Sequence, residues 1–172
     1  SNLISALLLA ATISFYFFIY TIWLKRKTAQ NIVIGGAAGA LPPVIGWAVA
    51  MNNISIEPLI MFLIIFIWTP SHFWALSLYK FKDYEKAKIP MLPITAGIKK
   101  TKLNIFIYAL LMLPVIVAPF LTGFGSVIYL VLSLGMTIYY ISLCYFLLKT
   151  KAVSKSNLIA RKVFVYSIFY LF

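Results

Sequence analysis

WTPSHFWALSLYKFKDYEKAKIPMLP, residues 68–93, carries an apolar run down to Tyr79 and then turns at once into a basic loop. Two of the three acidic residues in the chain, Asp83 and Glu85, fall in that loop among Lys80, Lys82, Lys86 and Lys88. A carboxylate such as Asp83, ringed by cations at the end of an apolar helix, is a chemical feature as well as a topological one.

Outward from this stretch the chain is a succession of apolar runs. Hydrophobic residues make up 63% and charged residues 10% of the sequence, too little polar surface for a water-soluble domain. A helix needs about 20 predominantly apolar residues to cross the hydrocarbon. Five runs meet that length: Leu3 to Leu24, Ile32 to Met51, Pro58 to Tyr79, Ile105 to Thr122 and Val127 to Leu148. The composition predicts an all-α, polytopic transmembrane helix bundle forming a single membrane domain over residues 1–172. A sixth run, Val163 to Phe172, has ten residues and would rise only about 15 Å, so it is expected to be cut off or not to cross. The first run lacks a basic leader, an initiator Met and the short core of a signal peptide. It reads as a span entered mid-protein, and the chain is expected to be truncated at both ends. Cys144, alone, permits no disulfide framework and is expected to pack in the fifth span.

Charge then orients the bundle. The 15 basic residues cluster at 25–27, 80–102 and 149–162, whereas the connections 52–57 and 123–126 hold none. If the spans alternate, every basic cluster lies on one side, which the positive-inside bias predicts to be cytoplasmic, or the matrix if mitochondrial. The net charge of +12 is accounted for by that topology and by anionic lipid headgroups, so nucleic acid is not an expected partner.

The second run, IVIGGAAGALPPVIGWAVAM, places Gly35 and Gly39 at small-xxx-small spacing, suited to close helix approach. Pro42 and Pro43 interrupt it near its centre, predicting a kinked helix beside a cavity. Pro70, Pro114 and Pro119 are expected to kink the third and fourth spans. If the third helix continues through Asp83, then His72, Leu76, Tyr79 and Asp83 share a face within about 40°, with His72 roughly 16 Å deeper than Asp83. His72 is then a neutral imidazole bonded to a helix carbonyl or serine, a substrate contact, or a metal ligand without an evident second ligand. For Asp83 the alternatives are a solvated ion pair, which is the expectation for Glu85, and a ligand to a Mg²⁺-bound polyanion whose remaining charge the lysines neutralise. Lys25, Arg26 and Lys27 share that side, and Arg is suited to bidentate phosphate contact.

Two segments, YTIWLKRKTAQNIVIGGAAGALPPVIGW (residues 20–47) and residues 68–93, resemble the protohaem IX farnesyltransferases, or haem O synthases, of the UbiA-type intramembrane prenyltransferase superfamily. The resemblance covers nearly the whole chain. It implies a bundle of nine transmembrane helices around a central cavity, of which these six segments correspond to the fourth to ninth. The second aspartate motif of the subfamily, DYxxAxxPMLP, is carried by Asp83, Tyr84, Ala87, Pro90, Met91, Leu92 and Pro93, and the KRxT element by Lys25, Arg26 and Thr28, with Asn31 following. The resemblance implies Asp83 and Tyr84 as catalytic, with Asp83 holding Mg²⁺ through the diphosphate. Lys25, Arg26, Thr28, Asn31, Lys80, Lys82, Tyr79 and His72 are the expected contacts to substrate. The implied reaction transfers a farnesyl group from farnesyl diphosphate to a vinyl group of haem B, a substrate here rather than a cofactor. The product, haem O, serves terminal oxidases, with haem A synthase or oxidase-assembly factors as expected partners.

One departure qualifies this. No counterpart of the family's first aspartate motif, of the NxxxDxxxD kind, occurs in these 172 residues. About a third of the enzyme is therefore expected to lie elsewhere, as in a fragment, a split enzyme or a decayed frame, and the chain alone is expected to be inactive. The alternatives are a related prenyltransferase acting on a quinone precursor, disfavoured by DYxxA in place of paired aspartates, and a non-catalytic membrane partner in haem or oxidase assembly. A transporter would require a polar path across the membrane, whereas the polar residues gather at one face. Tyr79, Tyr84, Trp68 and Trp74 are candidates to face an allylic cation, and the apolar segment 89–93 is expected either to cap the site against water or to lie among headgroups.

Overall fold

In hydrocarbon no water satisfies a backbone amide, so an apolar chain of this kind must close its hydrogen bonds within helices. The computed structural model, which describes residues 2–171, has no strand among them. Its elements in order are α1 (Leu3–Ser14) continued by a π-helical segment Phe15–Leu24, α2 (Asn31–Ala40), α3 (Pro42–Met51), α4 (Ile56–Tyr79), α5 (Phe81–Lys86), α6 (Leu92–Thr95), α7 (Gly97–Leu121), α8 (Val127–Lys149) and α9 (Val153–Leu171). Five stretches are long and apolar enough to cross a membrane: Leu3–Leu24, Asn31–Met51, Ile56–Tyr79, Gly97–Leu121 and Val127–Lys149. They match the five expected runs, with α7 starting eight residues early to take in Lys99, Lys100 and Lys102.

The sixth segment is not among them, as expected, but its helix is longer than its apolar run. α9 starts at Val153 and has 19 residues, a rise of about 28 Å where the apolar run alone gave 15 Å. Ser156, Ala160, Val163 and Ser167 form its buried stripe, while Arg161 and Lys162 stay on the exposed face. Phe172 lies outside the described residues.

Helix α4 forms the axis, packed against α2, α7 and α9. The core gathers Trp74, Ala75 and Leu78 of α4 with Ile105 and Ala109 of α7, Tyr140, Cys144 and Leu147 of α8, and Ala160 and Val163 of α9. Cys144 is buried there, as a packing residue should be.

The prolines act according to number. Pro42 and Pro43 together remove two successive amide donors, and the helix divides at Leu41 into α2 and α3. Pro70, Pro114 and Pro119 each remove one, and α4 and α7 run through them unbroken. Thr69 Oγ1 donates to the Ile65 carbonyl at 2.7 Å in the turn before Pro70.

The glycines also divide. A Cβ on Gly35 would strike the Tyr20 ring, and one on Gly36 would lie 2.9 Å from Thr69 Cγ2, whereas one on Gly39 meets nothing within 4 Å. Close approach therefore uses the adjacent pair Gly35 and Gly36 rather than the expected Gly35 and Gly39. Gly39 instead borders a cavity of about 290 Å³ lined by Tyr16, Tyr20, Trp68 and Phe73, the cavity expected beside the broken helix.

Candidate functional site

Helix α4 does not continue through Asp83. It ends at Lys80 (φ −100°, ψ 23°), whose amide closes the last turn on the Leu76 carbonyl at 3.0 Å. The Lys80 carbonyl then accepts the amides of Asp83 and Tyr84, at 3.1 and 3.2 Å, and so starts the short helix α5. The stripe that aligned His72 with Asp83 therefore breaks at Lys80. α5 closes through Lys88 in the left-handed region (φ 55°), with the Ile89 amide returning to the Tyr84 carbonyl at 3.2 Å.

Asp83 stands at the surface, its side chain 69% exposed, with Oδ2 3.1 Å from Lys80 Nζ. Lys82, Lys86 and Lys88 surround it in sequence, but no other ion pair occurs among the described residues. Glu85 is exposed and lacks the ion pair expected of it. Asp83, Lys80, Lys82 and Tyr79 line a cavity of about 360 Å³ together with Leu78, Phe81, Ile98, Val153 and Asn157. Tyr84 is half-buried, and burial, with Tyr79 beside it, raises its phenol above the usual range. It stays protonated at neutral pH and keeps a hydrogen to donate.

Beyond α5 the chain turns inward. Met91, Leu92 and Pro93 are buried, Met91 at 1% exposure, and Leu92 packs in the core with Trp74, Leu78 and Ile105. The end of the motif is thus a plug seated on α4 and α7 rather than a loop among headgroups, while its Asp83 end faces out.

The Lys25–Asn31 loop is held by its own backbone and by one buried amide. Asn31, 1% exposed, donates from Nδ2 to the Lys25 carbonyl at 3.0 Å, and Thr28 Oγ1 accepts the Gln30 amide at 3.1 Å. The Asn31 Oδ1 is buried without a partner. Arg26 is exposed and Lys25 half-buried. Neither is ion-paired to Asp83; the Lys25 end of the loop is tied back to Tyr20 at the close of the first span. Tyr20 was not singled out by the sequence. Its signal was five residues N-terminal to Lys25, where the Lys25 amide reaches back to the Tyr20 carbonyl at 2.8 Å in the wider π-helical repeat, a form that recurs at functional sites.

His72 sits apart from the mouth, between α4 and α9. Its Nδ1 lies 2.7 Å from Ser167 Oγ, and its ring stacks on Trp68 at 4.2 Å and Phe164 at 4.6 Å. Ser167 Oγ also lies 2.6 Å from the Phe164 carbonyl, and when its hydrogen is given there it accepts from an imidazole protonated at Nδ1. Of the three readings of His72, the serine-bonded imidazole is the one with a partner in the structure. Trp74, 1% exposed, packs edge-on to Tyr108 with centroids 5.3 Å apart, a core residue rather than a lining one.

The UbiA prenyltransferase family model matches residues 1–168. The chain belongs to the UbiA prenyltransferase family. Among curated relatives of this family, the protoheme IX farnesyltransferase of Pelagibacter ubique (strain HTCC1062) is 61% identical over 172 residues, covering 100% of this chain and 57% of that protein. Those of Parvibaculum lavamentivorans and Bartonella henselae are 48% and 50% identical, each over 99% of this chain and 54% of their own length. The chain thus spans little more than half the length of these UbiA relatives, less than the two-thirds expected from the helix count. No solved structure matches it.

Among UbiA enzymes diphosphate substrates and Mg²⁺ are the general pattern. Among the described residues no group of three His, Cys, Asp or Glu side chains could hold a metal ion. Mg²⁺ is commonly held by one or two carboxylates, with substrate phosphates and water completing the shell. The single exposed Asp83 fits one position of that arrangement and no more.

Proposed function

We propose that this chain contributes the second-motif half of a protohaem IX farnesyltransferase, which joins the farnesyl group of farnesyl diphosphate to a vinyl group of haem B to give haem O. The observation that carries the reading is the split character of residues 83–93. Asp83 is held out at the basic end of α4 by the Lys80 carbonyl, while Met91 and Leu92 anchor the same segment in the core.

In this reading Asp83 contributes one oxygen to a diphosphate-bound Mg²⁺, which when bound supplies Lewis-acid neutralisation of the leaving group. Lys80 and Lys82, with Lys25 and Arg26 from the neighbouring loop, carry the rest of the positive charge that stabilises the departing diphosphate. Tyr84 remains a neutral hydrogen-bond donor. The prenyl chain lies in the aromatic cavity of Tyr16, Tyr20, Trp68 and Phe73, whose ring faces suit an allylic cation. The C–O bond of the diphosphate ester breaks with its electron pair leaving on oxygen. The vinyl π pair then forms the new C–C bond, and water takes up the resulting cation and loses a proton. The buried Met91–Pro93 plug keeps bulk water from reaching the allylic cation first. The basic loops face the cytoplasm, or the matrix in a mitochondrion, and the product supplies assembly of haem-copper oxidases.

The test is haem extraction and mass analysis from membranes holding this chain alone, and this chain with the amino-terminal part of a relative. Haem O only in the second case supports the reading. In that completed enzyme Asp83→Asn is expected to lower turnover at least about 100-fold with folding intact, because an exposed ion pair contributes about 0–1 kcal/mol. Normal turnover would remove Asp83 from the metal site.

A further inference from the structure

Lys102 is a buried cation without an anion. It lies in the first turns of α7 and is 5% exposed, and its Nζ donates to the Thr150 carbonyl at 2.7 Å. The ion pair of Lys80 with Asp83 is the sole one among the described residues, so no carboxylate compensates Lys102. An ammonium carries three donors, and a charge buried without a counter-ion is costly. A ligand that brings its own negative charge relieves that cost.

The surroundings suit an amphiphilic anion. Lys102 lines a cavity of about 720 Å³, within the roughly 300–1,000 Å³ of small-ligand sites. Lys99, Lys149 and Lys151 stand around it with Leu103 and Leu148 as apolar wall. Leu78, Ile98, Val153 and Asn157 border both this cavity and the Asp83 cavity. The anion therefore sits beside the reaction site, on a different set of lysines from those assigned to diphosphate.

We propose that the Lys99, Lys102, Lys149 and Lys151 cavity seats the propionate carboxylates of the haem acceptor. The inference rests on the function proposed above. A haem is flat and apolar over both faces, with its two carboxylates on one edge and its vinyl groups towards the other. Fixing the carboxylates on Lys102 and its neighbours leaves the vinyl edge free to approach the cavity next door, so this cluster selects the acceptor by charge while the Asp83 side handles the donor.

The test uses this chain together with the amino-terminal part of a relative, in phosphatidylcholine nanodiscs, titrated with protohaem IX and with its dimethyl ester and read by the Soret band. Wild type is expected to prefer the diacid by about ten-fold or more, the scale of a hydrogen bond to a charged group. Lys102→Gln should erase the preference while leaving ester affinity unchanged, and retained ester binding certifies the fold. The exposed-rim variant Lys149→Gln with Lys151→Gln should reduce the preference several-fold. Equal affinity of wild type for the two forms, or a preference that survives in both variants, overturns the site but leaves haem as the acceptor. Binding of neither form by wild type overturns the acceptor reading itself. Loss of co-purifying phosphatidylglycerol from Lys102→Gln, with the diacid preference intact, overturns the proposal in favour of a lipid headgroup.

Discussion

Ser167→Ala would strand His72, and the size of the effect follows from the partners each group has. Ser167 is fully buried and His72 is 8% exposed, so water does not readily replace the lost hydroxyl. A buried polar group left unpaired costs about 1–3 kcal/mol, while hydrogen bonds between membrane helices average about 0.6 kcal/mol. The expected loss is therefore about 1 kcal/mol. Adding His72→Phe removes the stranded nitrogen but keeps a flat ring between Trp68 and Phe164, where the imidazole now stacks at 4.2 and 4.6 Å. The double variant should recover most of the loss, giving a coupling of about 1 kcal/mol in a double-mutant cycle. SDS-driven unfolding in mixed micelles, followed by tryptophan fluorescence, reads all four proteins, and Trp68 beside the imidazole is a local reporter. A neutral Ser167→Ala, or a double variant no better than the single one, would refute the paired-imidazole account. A double variant as stable as wild type that no longer binds haem would instead make His72 a substrate contact.

Other consequences follow from the same packing. Gly36→Ala places a Cβ 2.9 Å from Thr69 Cγ2 and is expected to cost about 1–3 kcal/mol in the same unfolding assay. Gly39→Ala, which meets nothing within 4 Å, should be neutral or stabilising by up to about 1 kcal/mol through helix propensity. Trp74→Ala should cost about 3–5 kcal/mol. Trp74→Phe should cost less than half of that, because the Nε1 hydrogen it removes has no partner, and turnover of a completed enzyme should be unaffected by it.

The spans were legible because length and apolarity alone define them, and so was the break at Pro42–Pro43, where covalent structure removes two donors. Which face of each span meets protein was not, since lipid tails are as apolar as a packed interior. That ambiguity hid Gly36 behind Gly39. It also left Lys102 in a count of topological charges, although it falls on the stripe of Ile105, Ala109 and Met112 that the bundle buries. The site was half legible. The motif located Asp83 and the Met91–Pro93 segment, but the assumption of an unbroken helix carried His72 onto a stripe that the break at Lys80 cancels. The inward turn of residues 91–93 depends on α4 and α7 meeting beneath them, a tertiary fact that local composition does not encode.

The single peptide carbonyl of Lys80, which accepts both Asp83 and Tyr84, means that the Asp83 loop takes its phase directly from a membrane-embedded screw. One residue inserted between Lys80 and Asp83 would swing the carboxylate by about 100° without disturbing a span, whereas the side chains at 81 and 82 can change without altering that setting. Such a joint is more sensitive to the length of the loop than to its chemistry.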